Sequence, residues 1–255
     1  MPMLQTAIRH FGQDIQRAKN LVLLSEQLND QSEHDDILRF AWMMAVRACD
    51  AYFCDAYGDL IARTLRAKSN EKSIKLPDRL SYLKIPVIAV IRSSVKEGWR
   101  WRMAARELIE KESVLSLEEI KGLFNQFCRD GQKIANVDTI EAFILRPKSH
   151  FRLFGISKTD YRRLSGDAKE TTKKQALRHF EERFQEIFQR RNDCIHNCDR
   201  PKIAIQIIRK TQVEKVIEDI EFLVNVCNDI LLIEFPLYLN RLGFSTATIN
   251  NVCVT

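Results

Sequence analysis

The sequence predicts an all-α protein, and three observations support this fold class. Glycine and proline, which interrupt helices, are scarce, with 8 and 6 residues in a chain of 255. Apolar residues recur at the three- and four-residue spacing of an amphipathic helix. Three segments match the capping box, in which a Ser or Thr precedes a helix and an acidic side chain follows three positions later.

Apolar spacing predicts the helices in the first half of the chain. The first helix is indicated by Ile8, Phe11, Ile15 and Val22. A much longer second helix is expected over about residues 34–67, and its apolar row is Ile37, Ala41, Met44, Ala48, Tyr52, Ala56, Leu60 and Thr64. Residues 70–97 contain two prolines and a β-prone run, so we expect a linker or a short buried element there. A basic aromatic helix should begin near Trp99.

The capping boxes place the later helices. They begin at Ser116, Ser157 and Thr211, and the last of them opens a long apolar helix. A polar helical stretch over about residues 168–197 precedes that helix. Proline lacks the N–H that a helix interior needs, so three prolines are each expected to close a segment, namely Pro147, Pro201 and Pro236.

The chain is expected to fold as a single domain over residues 1–255. At this length and with 45% apolar residues it can bury a sizeable core. The core of the bundle is predicted to come from the helices near residues 34–67, 168–197 and 211–235. The segment at about residues 70–165 is interpreted as a helical insertion.

Cysteine usage and hydropathy indicate a cytoplasmic protein. The seven cysteines show no regular framework, as expected of reduced thiols. The longest apolar run is broken by Glu234 and Pro236, and no apolar region follows the first positive charge. We therefore expect neither a membrane span nor an export signal.

The net charge of +6 is concentrated in one part of the chain. Residues 148–215 hold 17 Lys and Arg against nine Asp and Glu. A polyanion such as RNA is the natural partner of this distribution, and the candidate RNA-binding residues are Lys169, Lys173, Lys174 and Arg178. The alternative is an ordinary solvated helix face.

One segment has the residues of an anion-binding or catalytic site. Arg191 is followed directly by Asn192 and, five positions on, by His196. Arg191 falls in the middle of an apolar row, which is Phe180, Phe184, Ile187, Phe188 and Ile195. Because a guanidinium keeps its charge, a core-facing position predicts that an anion or a carboxylate receives it. Asn192 and His196, four residues apart, share the adjoining face.

The residues alone leave other interpretations of this segment open. Arg191 can extend along the phenylalanines to the surface or pair with a core carboxylate, in which case His196 merely ends the helix. Asp50, on the long second helix, is placed to meet Arg191 across the core as an ion-pair partner or as a catalytic group.

Two further patterns have simple alternatives. Cys194, His196 and Cys198 form Cys-x-His-x-Cys, but no second ligand pair accompanies them, so we predict no metal and no other cofactor. Trp99-Arg100-Trp101-Arg102 can stack on unpaired bases, although helical packing of the tryptophans explains it more simply.

The order of these features resembles the HEPN superfamily, and in particular its RiboL-PSP-like branch. The resemblance is carried by the long helix containing Leu38-Arg39-Phe40-Ala41-Trp42 and by Arg190-Arg191-Asn192-Asp193-Cys194-Ile195-His196-Asn197, followed by a closing helix. It covers about residues 34–67 and 168–235 and leaves the insertion unexplained. Cys194 and Ile195 stand where that branch has two aliphatic residues.

The resemblance implies a four-helix HEPN core that forms a homodimer, with both copies of the motif in one cleft. It also implies a metal-independent endoribonuclease, often a toxin or phage-defence effector with a cognate antitoxin or defence partner. By position, Arg191 would hold the scissile phosphate, His196 would be the general acid or base, and Asn192 would orient one of them. Asp50 and Arg190 are candidate supporting residues. The alternative is a non-catalytic HEPN module that binds nucleic acid, a nucleotide or a partner protein.

Overall fold

All regular elements in the described part of the chain are helices. The computed structural model describes residues 2–81, 116–200 and 204–254. The prediction of an all-α fold is confirmed for these residues. The elements are α1 (Gln5–Ser25), α2 (Gln31–Asn70), α3 (Asp78–Ser81), α4 (Leu117–Phe124), a 3₁₀ turn (Asp130–Gln132), α5 (Val137–Ile144), α6 (Phe151–Phe154), α7 (Lys158–Arg162), α8 (Gly166–Asn197), α9 (Lys210–Arg241) and α10 (Thr246–Val254).

Four long helices, α1, α2, α8 and α9, form the bundle. The Tyr52 ring of α2 packs edge-on against Phe11 of α1, and its hydroxyl donates to Asn228 Oδ1 of α9 at 3.2 Å. On the other side, Trp42 Nε1 of α2 donates to the carbonyl of Ile187 in α8 at 3.1 Å. The long second helix is therefore the central element that contacts the other three.

Two of the three predicted capping boxes mark helix starts correctly. Ser116 Oγ accepts the Glu119 N–H at 3.1 Å, and Ser157 Oγ accepts the Asp160 N–H at 3.1 Å, as the two capping boxes predicted. The long second helix begins after Asp30, whose carboxylate accepts hydrogen bonds from the Ser32 and Glu33 N–H groups. Both predicted N-terminal helices are confirmed, with α2 extending a few residues beyond its predicted ends.

Two predictions about α9 are wrong. The helix begins at Lys210 rather than after Thr211, because the Arg209 N–H donates to Gln212 Oε1 at 3.0 Å and supplies a cap two residues earlier. Pro236 does not close the segment but lies inside the helix, which continues to Arg241. Burial of Phe235 and Leu239 on either side favours continuation and offsets the hydrogen bond that proline removes.

The described part of the insertion packs into the same core as the long helices. Phe124 contacts Phe53 of α2, with ring centroids 5.4 Å apart, and Phe154 stacks on Phe180 of α8 at 5.4 Å. The expected linker contains α3, and α5 was not predicted. The predicted helix from Trp99, the Trp99–Arg102 pattern and Pro201 lie outside the described residues.

Among the described helices, α9 is the one that is long and apolar enough to cross a membrane. Its most apolar window has a mean hydropathy of 1.5, and 56% of that window is buried inside the protein. A core helix packed between other helices meets the same criteria of length and composition.

Candidate functional site

Arg191 lies where α8 leaves the core, so its predicted place in the middle of a buried row is wrong. Phe180, Phe184 and Phe188 are buried, but Ile195 at the far end of the row is 46% exposed. In the last turns the buried side of α8 instead carries Asp193, which accepts a hydrogen bond from Gln189 Nε2 at 3.0 Å. Arg191 is therefore half-buried at the rim of the core.

The surroundings of Arg191 do not neutralise its charge by contact. Burial lowers the pKa of Arg191, the Asp50 carboxylate opposes this effect, and the positive Arg47 adds to it. Arg191 Nη1 donates a hydrogen bond to Asn192 Oδ1 at 3.0 Å. Within the described ranges no carboxylate forms a contact ion pair with Arg191, so its cation is placed to receive an external anion.

Asp50 and Arg47 bring α2 to the site. Asp50 is 2% exposed and lies in contact with Arg47, and Cys54 Sγ approaches its other oxygen at 3.8 Å. The Arg47 side chain is 67% exposed and gives the site a second cation. Sequence analysis missed Arg47, although its position one helical turn before Asp50 places both on one face.

His196 completes a group of polar side chains at the end of α8. It is exposed in the last turn, four residues after Asn192 and thus on the same side of the helix. The carboxamide and the imidazole therefore share one face of the helix end, and the Asn192 carboxamide in turn accepts a hydrogen bond from the Arg191 guanidinium. These groups can hold an oxyanion and transfer a proton to or from a bound substrate.

Arg190 makes structural contacts with α2 and with the end of α8, and it is not grouped with Arg191. Its guanidinium lies over the Trp42 ring, 5.0 Å from the centroid, and Nη2 donates to Asp199 Oδ2 at 3.1 Å. Arg39 Nε of α2 donates to the same oxygen at 2.9 Å. Asp199 is fully buried, so this ion-pair triad fastens the end of α8 to α2. The role of Asp199 could not be predicted from the sequence, because Arg39 lies 160 residues away in the chain and Arg190 reaches Asp199 only across the turn at the end of α8.

Two cysteines of the motif, Cys194 and Cys198, are free thiols. Burial, reinforced by Asp199, raises the pKa of Cys194 to about 11, whereas Cys198 is exposed. In the described part of the chain no three His, Cys, Asp or Glu side chains are grouped to hold a metal ion.

The candidate RNA-binding residues lie in the first half of α8. Lys169 pairs with Glu141 at 2.6 Å, Lys173 pairs with Glu170 at 2.7 Å, and Arg178 pairs with Glu182 at 2.8 Å. Lys174 is exposed and takes part in no ion pair among the described residues. It lies about 25 Å along the helix from Arg191 at the usual rise per residue.

Comparisons of this chain with protein-family models, with curated proteins and with solved structures gave no match.

Proposed function

We propose that the protein is a metal-independent endoribonuclease of the HEPN type, acting in the cytoplasm as a toxin or phage-defence effector. The observation that carries this proposal is Arg191, a half-buried cation that no described carboxylate contacts. It donates a hydrogen bond to Asn192, which lies one helical turn before the exposed His196. This set supplies the two functions that RNA cleavage needs, a fixed charge for the phosphate and an imidazole that can take or give a proton.

The proposed reaction uses the nucleophile that RNA carries. The 2′-hydroxyl attacks the adjacent phosphorus, a new P–O2′ bond forms, and the P–O5′ bond breaks. Arg191 stabilises the charge on the phosphorane, while His196 takes the proton from the 2′-hydroxyl or gives one to the leaving 5′-oxygen. The Asn192 carboxamide, hydrogen-bonded to Arg191, orients the guanidinium. The products carry a 2′,3′-cyclic phosphate and a 5′-hydroxyl.

One copy of the chain offers a single imidazole at this site, whereas the reaction needs both a base and an acid. A homodimer that brings two His196 side chains to one cleft would supply both roles. We therefore include an isologous homodimer in the proposal, with RNA as substrate and an antitoxin or defence protein as partner.

A non-catalytic module that binds nucleic acid, a nucleotide or a partner protein is the second candidate. It is favoured by the exposure of His196, because catalytic imidazoles are usually oriented by a third group. Such a module would use Arg191 and Arg47 for binding and would not need His196.

Incubation of the purified protein with tRNA and total RNA in EDTA separates the two candidates. The ribonuclease should produce fragments that end in 2′,3′-cyclic phosphate, at a rate that EDTA leaves unchanged. The binding module should retain the RNA intact in a gel-shift experiment. Absence of cleavage with any RNA would refute the enzyme and favour the module.

A further inference from the structure

A groove of about 400 Å³ runs along α8 and ends at the proposed catalytic site. One wall is the face of α8 from Glu181 to Asn192, and the other is the start of α4. Its lining residues are Ser116, Leu117, Glu118, Glu181, Gln185, Phe188, Gln189 and Asn192. The volume is within the range of small-ligand sites.

The α8 wall is a ladder of hydrogen-bonding side chains. Glu181, Gln185, Gln189 and Asn192 follow one another at four-, four- and three-residue spacing, so they share one helix face. Phe188 lies between them and is 4% exposed, which gives the groove an apolar surface below the polar groups. Asn192 also accepts the hydrogen bond from Arg191, so the groove adjoins the cation of the site.

The charge of the groove does not suit a phosphate. The described lining residues include two carboxylates and neither lysine nor arginine. Lys121 lies behind them, 2.9 Å from Glu181 and 3.4 Å from Glu118. Carboxamides and carboxylates are the groups that pair with base edges, whereas Arg191 at the end of the groove suits the phosphate.

We propose that this groove binds one unpaired base of the RNA next to the phosphate at Arg191, and that it prefers a base with an exocyclic amino group. The Glu181 carboxylate, whose Oε1 accepts from Lys121 at 2.9 Å, accepts a second hydrogen bond from such an amino group at Oε2. The Gln185 and Gln189 carboxamides both donate and accept, so they hold the rest of either base. Uracil presents carbonyl oxygens there, which the carboxylate repels. This proposal rests on the proposed function, because it places the scissile phosphate at Arg191.

The test uses RNA that the protein cannot cleave. Fluorescein-labelled pentamers of 2′-O-methyl cytidine and of 2′-O-methyl uridine differ mainly in an amino or a carbonyl group on the ring. Fluorescence anisotropy should show that the full chain binds the cytidine pentamer about tenfold more tightly. The double variant Glu118→Gln/Glu181→Gln replaces the two acceptor-only side chains of the groove by carboxamides that can also donate, and should reduce this ratio to below about twofold.

Matched variants separate the groove from the cation. Glu186→Gln changes an exposed glutamate of the same helix outside the groove and should keep the tenfold ratio. Arg191→Ala should weaken both pentamers by a similar factor and leave the ratio unchanged. Equal affinity of the wild type for both pentamers, or an unchanged ratio in the double variant, would overturn the groove assignment.

The two proposals fail in different ways. Discrimination between the pentamers without cleavage of any RNA would keep the groove and overturn the ribonuclease. Cleavage of natural RNA, with the same pentamer ratio in the wild type and the double variant, would keep the ribonuclease and overturn the groove.

Discussion

Arg190 and Asp199, nine residues apart, are joined across the end of α8 by a hydrogen bond of 3.1 Å between Nη2 and Oδ2. The chain turns at Cys198 and Asp199, and the φ angles of these residues are positive, 48° and 57° respectively. This left-handed conformation is costly for residues other than glycine. The buried contacts of Asp199 with Arg190 and Arg39 hold the turn and fix the helix end that carries Arg191 and His196.

Asp199→Ala should strongly destabilise the protein. It leaves two largely buried guanidinium groups without their shared carboxylate, a change that costs about 3–5 kcal/mol of unfolding free energy. The Tm measured by calorimetry should fall by roughly 10 °C. Asp36→Ala is the matched control, because Asp36 also pairs with Arg39 but its side chain is 72% exposed, and it should cost less than about 1 kcal/mol. Equal effects of the two variants would contradict a structural role for Asp199.

Arg191→Ala and His196→Ala should separate binding from catalysis. His196→Ala should reduce RNA cleavage on the order of 10²-fold while RNA affinity is retained, because the imidazole acts on protons. Arg191→Ala should weaken both affinity and rate, because the cation acts in the ground state and in the transition state. Cleavage is followed on labelled RNA, and affinity is measured with a 2′-O-methyl analogue.

Two controls accompany these variants. His179→Ala changes an exposed histidine about 25 Å away along the same helix and should leave cleavage unaffected. Arg191→Ala should barely change the Tm, since no described carboxylate is left unpaired by it. A Tm loss as large as that of Asp199→Ala would instead assign Arg191 to a core ion pair. Full cleavage by a folded His196→Ala protein would remove His196 from the mechanism.

The parts of this molecule that sequence analysis predicted are those with local signals. Helical periodicity and the side-chain caps at Ser116 and Ser157 act within one or two turns, and both helix starts were predicted. The Asp30 cap was not predicted, because the apolar spacing of the second helix begins only at about residue 34. The motif at Arg191 was visible because its members lie within two helical turns. Arg47 was not visible, because its place at the site depends on how α2 crosses α8.

The failures have physical causes as well. Pro236 normally ends a helix, but tertiary packing on both sides outweighs the local cost. Periodicity placed Ile195 in the core, although a period specifies only the face of a helix and not where its burial ends. Charge counting along the sequence also omits the carboxylates one turn away or on α5 that pair with Lys169, Lys173 and Arg178, and RNA binding by these residues stays a prediction.

The salt dependence of RNA binding should show whether Lys173 and Lys174 contact phosphates. In Lys173→Gln/Lys174→Gln, the slope of log affinity against log salt should fall by about 0.7, the value for one phosphate of a single strand. We expect one contact rather than two, because Lys173 is engaged with Glu170 and Glu141. Lys19→Gln, on α1 and paired with Glu221, should leave the slope unchanged. A slope unchanged in the double variant would assign both lysines to a solvated face.

Exposed apolar side chains surround the end of α8. Ile195 is 46% exposed, Phe40 50% and Ile207 75%. They belong to three segments that meet at the Asp199 triad, because Arg39, next to Phe40, donates to the carbonyl of Gln206 at 2.9 Å. A dimer built on this surface would cover apolar area close to both copies of the motif.

Ile195→Asp/Ile207→Asp should therefore convert the proposed homodimer into a monomer and abolish most cleavage. Carboxylates at these positions would be desolvated in the interface, and the two-fold symmetry would bring four of them, two from each copy, into the same interface. Light scattering at micromolar concentration measures the mass, and cleavage is followed on the same samples. Ile233→Asp is the control. Ile233 is 61% exposed, but it lies about 35 Å along α9 from Lys210, which begins the helix three residues after Ile207. This variant should remain dimeric and active. A wild-type chain that is monomeric at this concentration yet cleaves RNA would rule out the composite site, since each molecule would then need to supply both acid and base.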